Sequence, residues 1–139
     1  MELKMFSLLL TVILTSAPAD QQLQQSYAQA YTKSLEERKP LLVVVGAPWC
    51  PACRVLKEST LKPMAKTGEL DDVSFVVINR DENPVLAAKL TQGEKTIPQI
   101  ILYTPAEDGW KRRKLRGFQS KQPIRSLIQK ALVQTRKLF

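Results

Sequence analysis

Leu41-Leu42-Val43-Val44-Val45 is the segment that most restricts the fold. It is five apolar residues in a row, with no polar side chain to meet water on either side of a pleat. Such a run suits a strand buried on both faces, which needs a covering layer on each side. Gly46-Ala47-Pro48 then turns the chain, and both of its cysteines follow in Trp49-Cys50-Pro51-Ala52-Cys53-Arg54. Pro51 suits the first position of a helix, where a missing N–H costs little. Cys50 therefore stands at a strand-to-helix turn, at the positive end of the helix dipole, where a thiolate is stabilised. Two thiols at this spacing can close a small disulfide and open it again.

The remaining segments build a domain around that strand. Gln21 to Arg38 reads as a helix stopped by Pro40, with Tyr27, Ala30, Tyr31 and Leu35 near one face. The helix that Cys50 opens turns Val55 and Leu56 inward. Pro63 breaks or kinks it, which predicts a second short helix at about Pro63 to Leu70. Val73 to Asn79 is a strand, Pro84 to Leu90 a short helix, Gln92 to Lys95 a polar loop and Gln99 to Tyr103 a third strand. Thr104 to Gly109 suits a hairpin turn, and Trp110 to Arg116 an edge strand whose charges discourage unwanted pairing. Ser120 is placed to cap a last helix from Lys121 to about Lys137. Strands separated by helices imply parallel pairing, and the final hairpin adds an antiparallel pair. The expected product is a three-layer α/β/α domain on a mixed four-stranded sheet.

Met1 to Ala19 has the anatomy of an export signal. A weakly basic start precedes an apolar run from Met5 to Thr15, and Ala17-Pro18-Ala19 offers small residues for a cut after Ala19. The same segment also fits an uncleaved anchor or an ordinary buried helix. Residues 20–139 suffice for one domain. Export predicts a periplasmic or secreted protein in an oxidising compartment, where a Cys-x-x-Cys pair is either oxidised or kept poised by a partner.

Charge is uneven: Gly109 to Phe139 carries ten Lys/Arg and no acid, while the rest carries eleven basic and thirteen acidic residues. The cluster Lys111, Arg112, Arg113, Lys114 and Arg116 reads either as a solvated strand and helix face or as a dock for an acidic partner or anionic surface. No aromatic interleaving or nucleic-acid motif accompanies it, so nucleic acid is not an expected partner. With two cysteines and no histidine, one chain cannot supply the four ligands of a structural zinc site, which leaves only a metal shared between two copies. A static staple is a further alternative, although so small a loop stabilises little.

Two separated motifs carry a resemblance. Ala47-Pro48-Trp49-Cys50-Pro51-Ala52-Cys53 resembles the Trp-Cys-x-x-Cys active site of the thioredoxin superfamily, and Thr96-Ile97-Pro98-Gln99-Ile100 resembles its Ile-Pro segment with a cis proline before a strand. Asn79 to Pro84 resembles the strand-to-helix junction, and Gly117 stands where the family has a glycine. The resemblance covers about Tyr27 to Leu132 and implies a thioredoxin-like fold and thiol-disulfide exchange on protein thiols and disulfides. It implies Cys50 as the more exposed nucleophile and Cys53 as the buried resolving thiol. Ile97 and Pro98 would hold substrate against the pair, Trp49 would form part of the docking rim, and no cofactor or metal would be needed. A monomer is expected, with a membrane electron donor or acceptor as redox partner. The chain departs from the family at Val44 and Val77, where a buried acid and its companion lysine are common, and in the Pro51-Ala52 dipeptide between the thiols. Pro63 also lies farther from the cysteines than the family's kink proline. These departures leave the redox direction open, and with it the alternative of a weakly catalytic binding module that docks an acidic partner through its basic C-terminal third.

Overall fold

A computed structural model of the chain describes residues 25–138. The expected export segment and its cut after Ala19 lie outside the described residues. Among the described residues no helix is long and apolar enough to cross a membrane.

Helix α1 spans Tyr27–Glu37. The expected start at Gln21 is not met, because Gln25 and Ser26 are not helical; positions 21–24 lie outside the described residues. Ser26 starts the helix: its hydroxyl accepts from the Gln29 backbone N–H at 3.2 Å, while Gln29 Oε1 accepts from the Ser26 N–H at 3.0 Å. This reciprocal cap satisfies two donors that a helix start otherwise leaves unpaired. Strand β1, Leu41–Gly46, follows and is buried throughout.

Helix α2, Pro51–Leu56, runs directly into a π-helical turn, Lys57–Leu61, and then helix α3, Lys62–Lys66. The expected break at Pro63 and second helix to Leu70 are therefore corrected. A proline removes one backbone donor and crowds the carbonyl four residues back. The wider π turn just before Pro63, where the Lys62 N–H reaches the Lys57 carbonyl, lets the helix continue past it. The run ends at Lys66, and the Thr67 hydroxyl donates to the Pro63 and Met64 carbonyls. Leu56 is fully buried but Val55 is exposed, contrary to the inward orientation expected for both.

Strand β2 is Ser74–Asn79, helix α4 Pro84–Thr91, strand β3 Gln99–Ala106, strand β4 Gly109–Arg116 and helix α5 Lys121–Leu138. The sheet order is β2-β1-β3-β4. Only β1 and β2 pair in parallel; β1 with β3 and β3 with β4 are antiparallel. The expected parallel pairing of helix-separated strands thus holds for β2 but not for β3. The hairpin is also tighter than expected: Ala106 pairs with Gly109, leaving Glu107 and Asp108 as the turn. Pro105 sits inside β3 because β1 reaches only to Tyr103, so its missing N–H faces no second strand.

Successive β1 residues feed opposite layers. Leu42 and Val44 join Leu56, Leu61, Met64, Ile124 and Ile128 on one face, and Leu41, Val43 and Val45 join Ala30, Ala87 and Leu90 on the other. The result is an α/β/α domain with β1 at its centre. At the far edge, Lys114 and the Nε and Nη2 donors of Arg116 converge on the Glu94 carboxylate, and Arg112 donates to the Leu90 carbonyl. Three of the five clustered cations on β4 are therefore engaged within the domain.

Candidate functional site

The C-terminal end of β1 delivers Cys50 to the head of a helix, as its last residue before Pro51. The Cys53 backbone N–H donates to Cys50 Sγ at 3.2 Å, so the sulfur occupies the capping position that a Ser or Asp oxygen usually fills. The helix start thus turns one of its free backbone donors toward that sulfur. The two sulfurs are not bonded to each other in this structure.

The order of exposure is the reverse of the expected one. Cys50 is only 5% exposed and Cys53 is partly buried. The Cys50 backbone N–H donates to the Ala47 carbonyl at 3.2 Å and draws that residue into the turn, whereas Cys53, one turn in, points at the end of β1. A Cβ on Gly46 would lie 3.0 Å from Cys53 Sγ, so only glycine leaves that sulfur its full room. Burial, then the hydrogen bond to Cys50, pushes the Cys53 thiol up to about 11, against a weaker opposing pull from the Ala47 backbone. Cys53 is therefore held protonated at neutral pH.

Trp49 is 58% exposed and stands at the rim, where two neighbours fix it. Its indole N–H donates to Asp81 Oδ2 at 2.7 Å, and the Arg80 guanidinium lies 5.0 Å from the ring centroid. Arg80 also donates to the Lys95 carbonyl at 2.9 Å, two residues before Ile97. One side chain thus joins the cysteine turn to the loop that leads into β3. The Ile97–Pro98 peptide bond is cis. Ile97 is partly exposed and Pro98 buried. The β1–β3 register pairs Val45 with Gln99, and extending it by one residue sets Pro98 opposite Gly46, the residue against Cys53. The Gly117 N–H donates to the Pro98 carbonyl at 2.8 Å, with Gly117 at φ 75°, a conformation that favours glycine. The structure thus gathers Trp49, Cys50, Cys53 and Pro98 around the end of β1. Ala52 is partly buried on the first turn of α2 and Pro51 is exposed.

Val44 and Val77 pair directly across β1 and β2 and line a cavity of about 480 Å³ beside Cys53. The side chains that could exchange a proton there are at its edge: Glu58, hydrogen-bonded to Lys62, is held below the usual carboxylate range. Among the described residues, no three His, Cys, Asp or Glu side chains gather to hold a metal ion.

Sequence reasoning missed Arg80, Asp81 and Gly46. The signal for the first two was a charged pair following the strand-ending Asn79, whose side-chain oxygen accepts from the Asp81 N–H at 2.9 Å and shapes the turn. Gly46 had no signal beyond being a glycine at the end of a buried strand.

The fold and much of the sequence have counterparts in known proteins. A solved thioredoxin from Thermus thermophilus superposes with a TM-score of 0.64 over 78% of this chain and 85% of that one, at 16% identity, a likeness of fold. Thioredoxin of Griffithsia pacifica is 31% identical over 101 residues, 73% of this chain and 86% of that protein. The chloroplastic thioredoxin M4 of Arabidopsis thaliana is 30% identical over 122 residues, 86% of this chain and 58% of that protein. The Thioredoxin family model matches residues 22–130. With so much of its length matched, the chain belongs to the thioredoxin family.

Proposed function

We propose that this thiol-disulfide oxidoreductase acts on protein substrates outside the cytoplasm, with Cys50 as nucleophile and Cys53 as resolving thiol. The observation that carries the reading is Cys50 Sγ at the helix head, accepting the Cys53 N–H at 3.2 Å. It supports Cys50 as the sulfur that a backbone donor orients for attack, beside a thiol at Cys53 kept protonated until it is needed.

Cys50 thiolate attacks one sulfur of a substrate disulfide held against Trp49, Ile97 and Pro98. A Cys50–substrate disulfide forms and the other substrate sulfur leaves as thiolate. Cys53 loses its proton and attacks Cys50 Sγ, and the second substrate thiolate departs. Two electrons pass to the substrate and the Cys50–Cys53 disulfide remains. Run backwards, the same steps insert a disulfide. A donor or acceptor at the membrane resets the pair, and the chain works as a monomer without a cofactor. The apolar run Met5 to Thr15 and the small residues up to Ala19 support export.

The test is reduction of a protein disulfide with dithiothreitol as electron source. The wild-type chain turns over and Cys50→Ser does not; Cys53→Ser accumulates mixed disulfides through Cys50. Equal inactivity of wild type and Cys50→Ser would overturn the reading. Equilibration with a glutathione redox buffer assigns the direction, a strongly reducing pair marking a reductase and a mildly oxidising one an oxidase or isomerase. N-terminal sequencing of the mature protein from its native host tests export, with Asp20 expected as first residue.

A further inference from the structure

The cavity beside Cys53 is lined by Ala47 and Pro48 of the cysteine turn but not by Trp49 or Ile97. Its apolar wall is Val44, Leu61 and Val77, and Arg54, Lys57 and Glu58 stand around it. These three charges lie at positions i, i+3 and i+4 of the helical run and so share one side of it. Glu58 is engaged by Lys62 at 2.9 Å. Among the described residues no carboxylate lies within ion-pair distance of Arg54 or Lys57, so the edge of the cavity is net positive. Its volume of about 480 Å³ falls inside the roughly 300–1,000 Å³ range of small-molecule sites.

We propose that this cavity binds a small amphipathic carboxylate, with its apolar body against Val44, Leu61 and Val77 and its carboxylate on Arg54 and Lys57. Charge complementarity selects the head group, since an amine would meet Arg54 and Lys57, against which the cavity sets the single carboxylate of Glu58, already engaged by Lys62. The apolar wall selects the body, because burying it there removes hydrocarbon surface from water. A ligand so placed covers Cys53 from the cavity side and leaves Trp49 and Ile97 open, so it slows reactions of the resolving thiol without blocking the docking rim.

Octanoate is the probe, with octylamine as the matched cation. Binding is read by the methyl NMR signals of Val44 and Val77 in the reduced wild type. Shielding is read by iodoacetamide alkylation of Cys53 in Cys50→Ser, followed by mass spectrometry. Neither readout needs disulfide exchange, so failure of the exchange mechanism and failure of this site are distinguishable. The expected result is saturable methyl shifts and severalfold slower alkylation with octanoate, neither with octylamine. Lys57→Glu, at an exposed position, weakens octanoate by about tenfold, the loss expected for one charged contact. Val77→Phe, its fold checked by circular dichroism, fills the cavity and abolishes both effects. Absent or unsaturable shifts, equal protection by octylamine, or unchanged affinity in Lys57→Glu would each overturn the proposal.

Discussion

Trp49 and Asp81 are joined by a 2.7 Å hydrogen bond across the gap between the cysteine turn and the end of β2, with the indole N–H donating to the carboxylate. The most exposed aromatic ring near the thiols is thereby held in one orientation, and Arg80 covers its face. A rim side chain fixed before substrate arrives loses less freedom when substrate docks.

Asp81→Ala is expected to release the ring. The KM for a protein disulfide rises by about three- to tenfold, the range for losing one solvent-exposed hydrogen bond of ordinary strength, while kcat changes little. Asp81→Asn keeps an acceptor and loses less. Steady-state kinetics on a protein disulfide and on a small aromatic disulfide separate the two contributions. An equal loss on both substrates would mean that Asp81 acts on the thiols instead of the rim.

Cys53 supplies a pH signature. Its thiol is pushed from 9.0 to about 11, first by burial and then by its hydrogen bond to Cys50. Ultraviolet thiolate absorbance of the reduced protein should show one thiol titrating near that value. Cys50→Ala removes the second cause and brings the midpoint down. The raised value also sets a stability window. Below pH 9 the protonated thiol's contribution is complete; between 9 and 11 the unfolded chain gives up its proton while the folded one keeps it, so stability falls as pH rises. Denaturant midpoints of reduced wild type and Cys53→Ala across that window test this, with the alkaline loss smaller in the variant.

Much of this arrangement was legible in residues 41–53. An unbroken apolar strand demands two covering layers, and a proline directly after a cysteine marks a helix start, so the position of Cys50 followed from local chemistry. Pairing of β3 did not, because antiparallel addition beside β1 depends on where the α4 loop returns the chain, and local pattern does not record that. The π turn before Pro63 was hidden for a similar reason: a proline signals that the helix must adjust, without saying whether it breaks or widens. The exposure of the two thiols was misjudged because it depends on the tight turn that binds the Cys50 N–H to the Ala47 carbonyl and on the missing side chain at Gly46, neither of which has a periodicity.

Glu94 links the loop before Pro98 to the edge strand. Arg116 first, then Lys114, holds its carboxylate down from 4.5 to about 2. A carboxylate with a lowered folded value stabilises fully above its unfolded value and loses that contribution as pH falls toward the folded one. Glu94→Gln should therefore lower stability at neutral pH and flatten the acid-side decline between pH 4.5 and 2. Glu58 and Glu69 are lowered too, so part of the decline remains in the variant. Because these groups remain partly open to solvent, the wild-type excess should shrink at high salt. A denaturation profile against pH with parallel slopes for both proteins would show that Glu94 contributes nothing.

Gly46→Ala tests how tightly β1 holds the resolving thiol. The added methyl would lie 3.0 Å from Cys53 Sγ and 3.3 Å from its Cβ, closer than carbon and sulfur tolerate without movement. Gly46 is hydrogen-bonded into the sheet, its carbonyl accepting from the Arg80 N–H at 2.9 Å, so the strand end resists moving and Cys53 must give way. Overpacking of this kind costs about 1–3 kcal/mol, read as a lower denaturant midpoint for the reduced protein. Displacing Cys53 also changes how readily its sulfur reaches Cys50, so the equilibrium with a glutathione buffer should shift as well. A Gly46→Ala protein with wild-type stability and an unmoved redox equilibrium would mean that the strand end relaxes freely and that Gly46 does not position the resolving thiol.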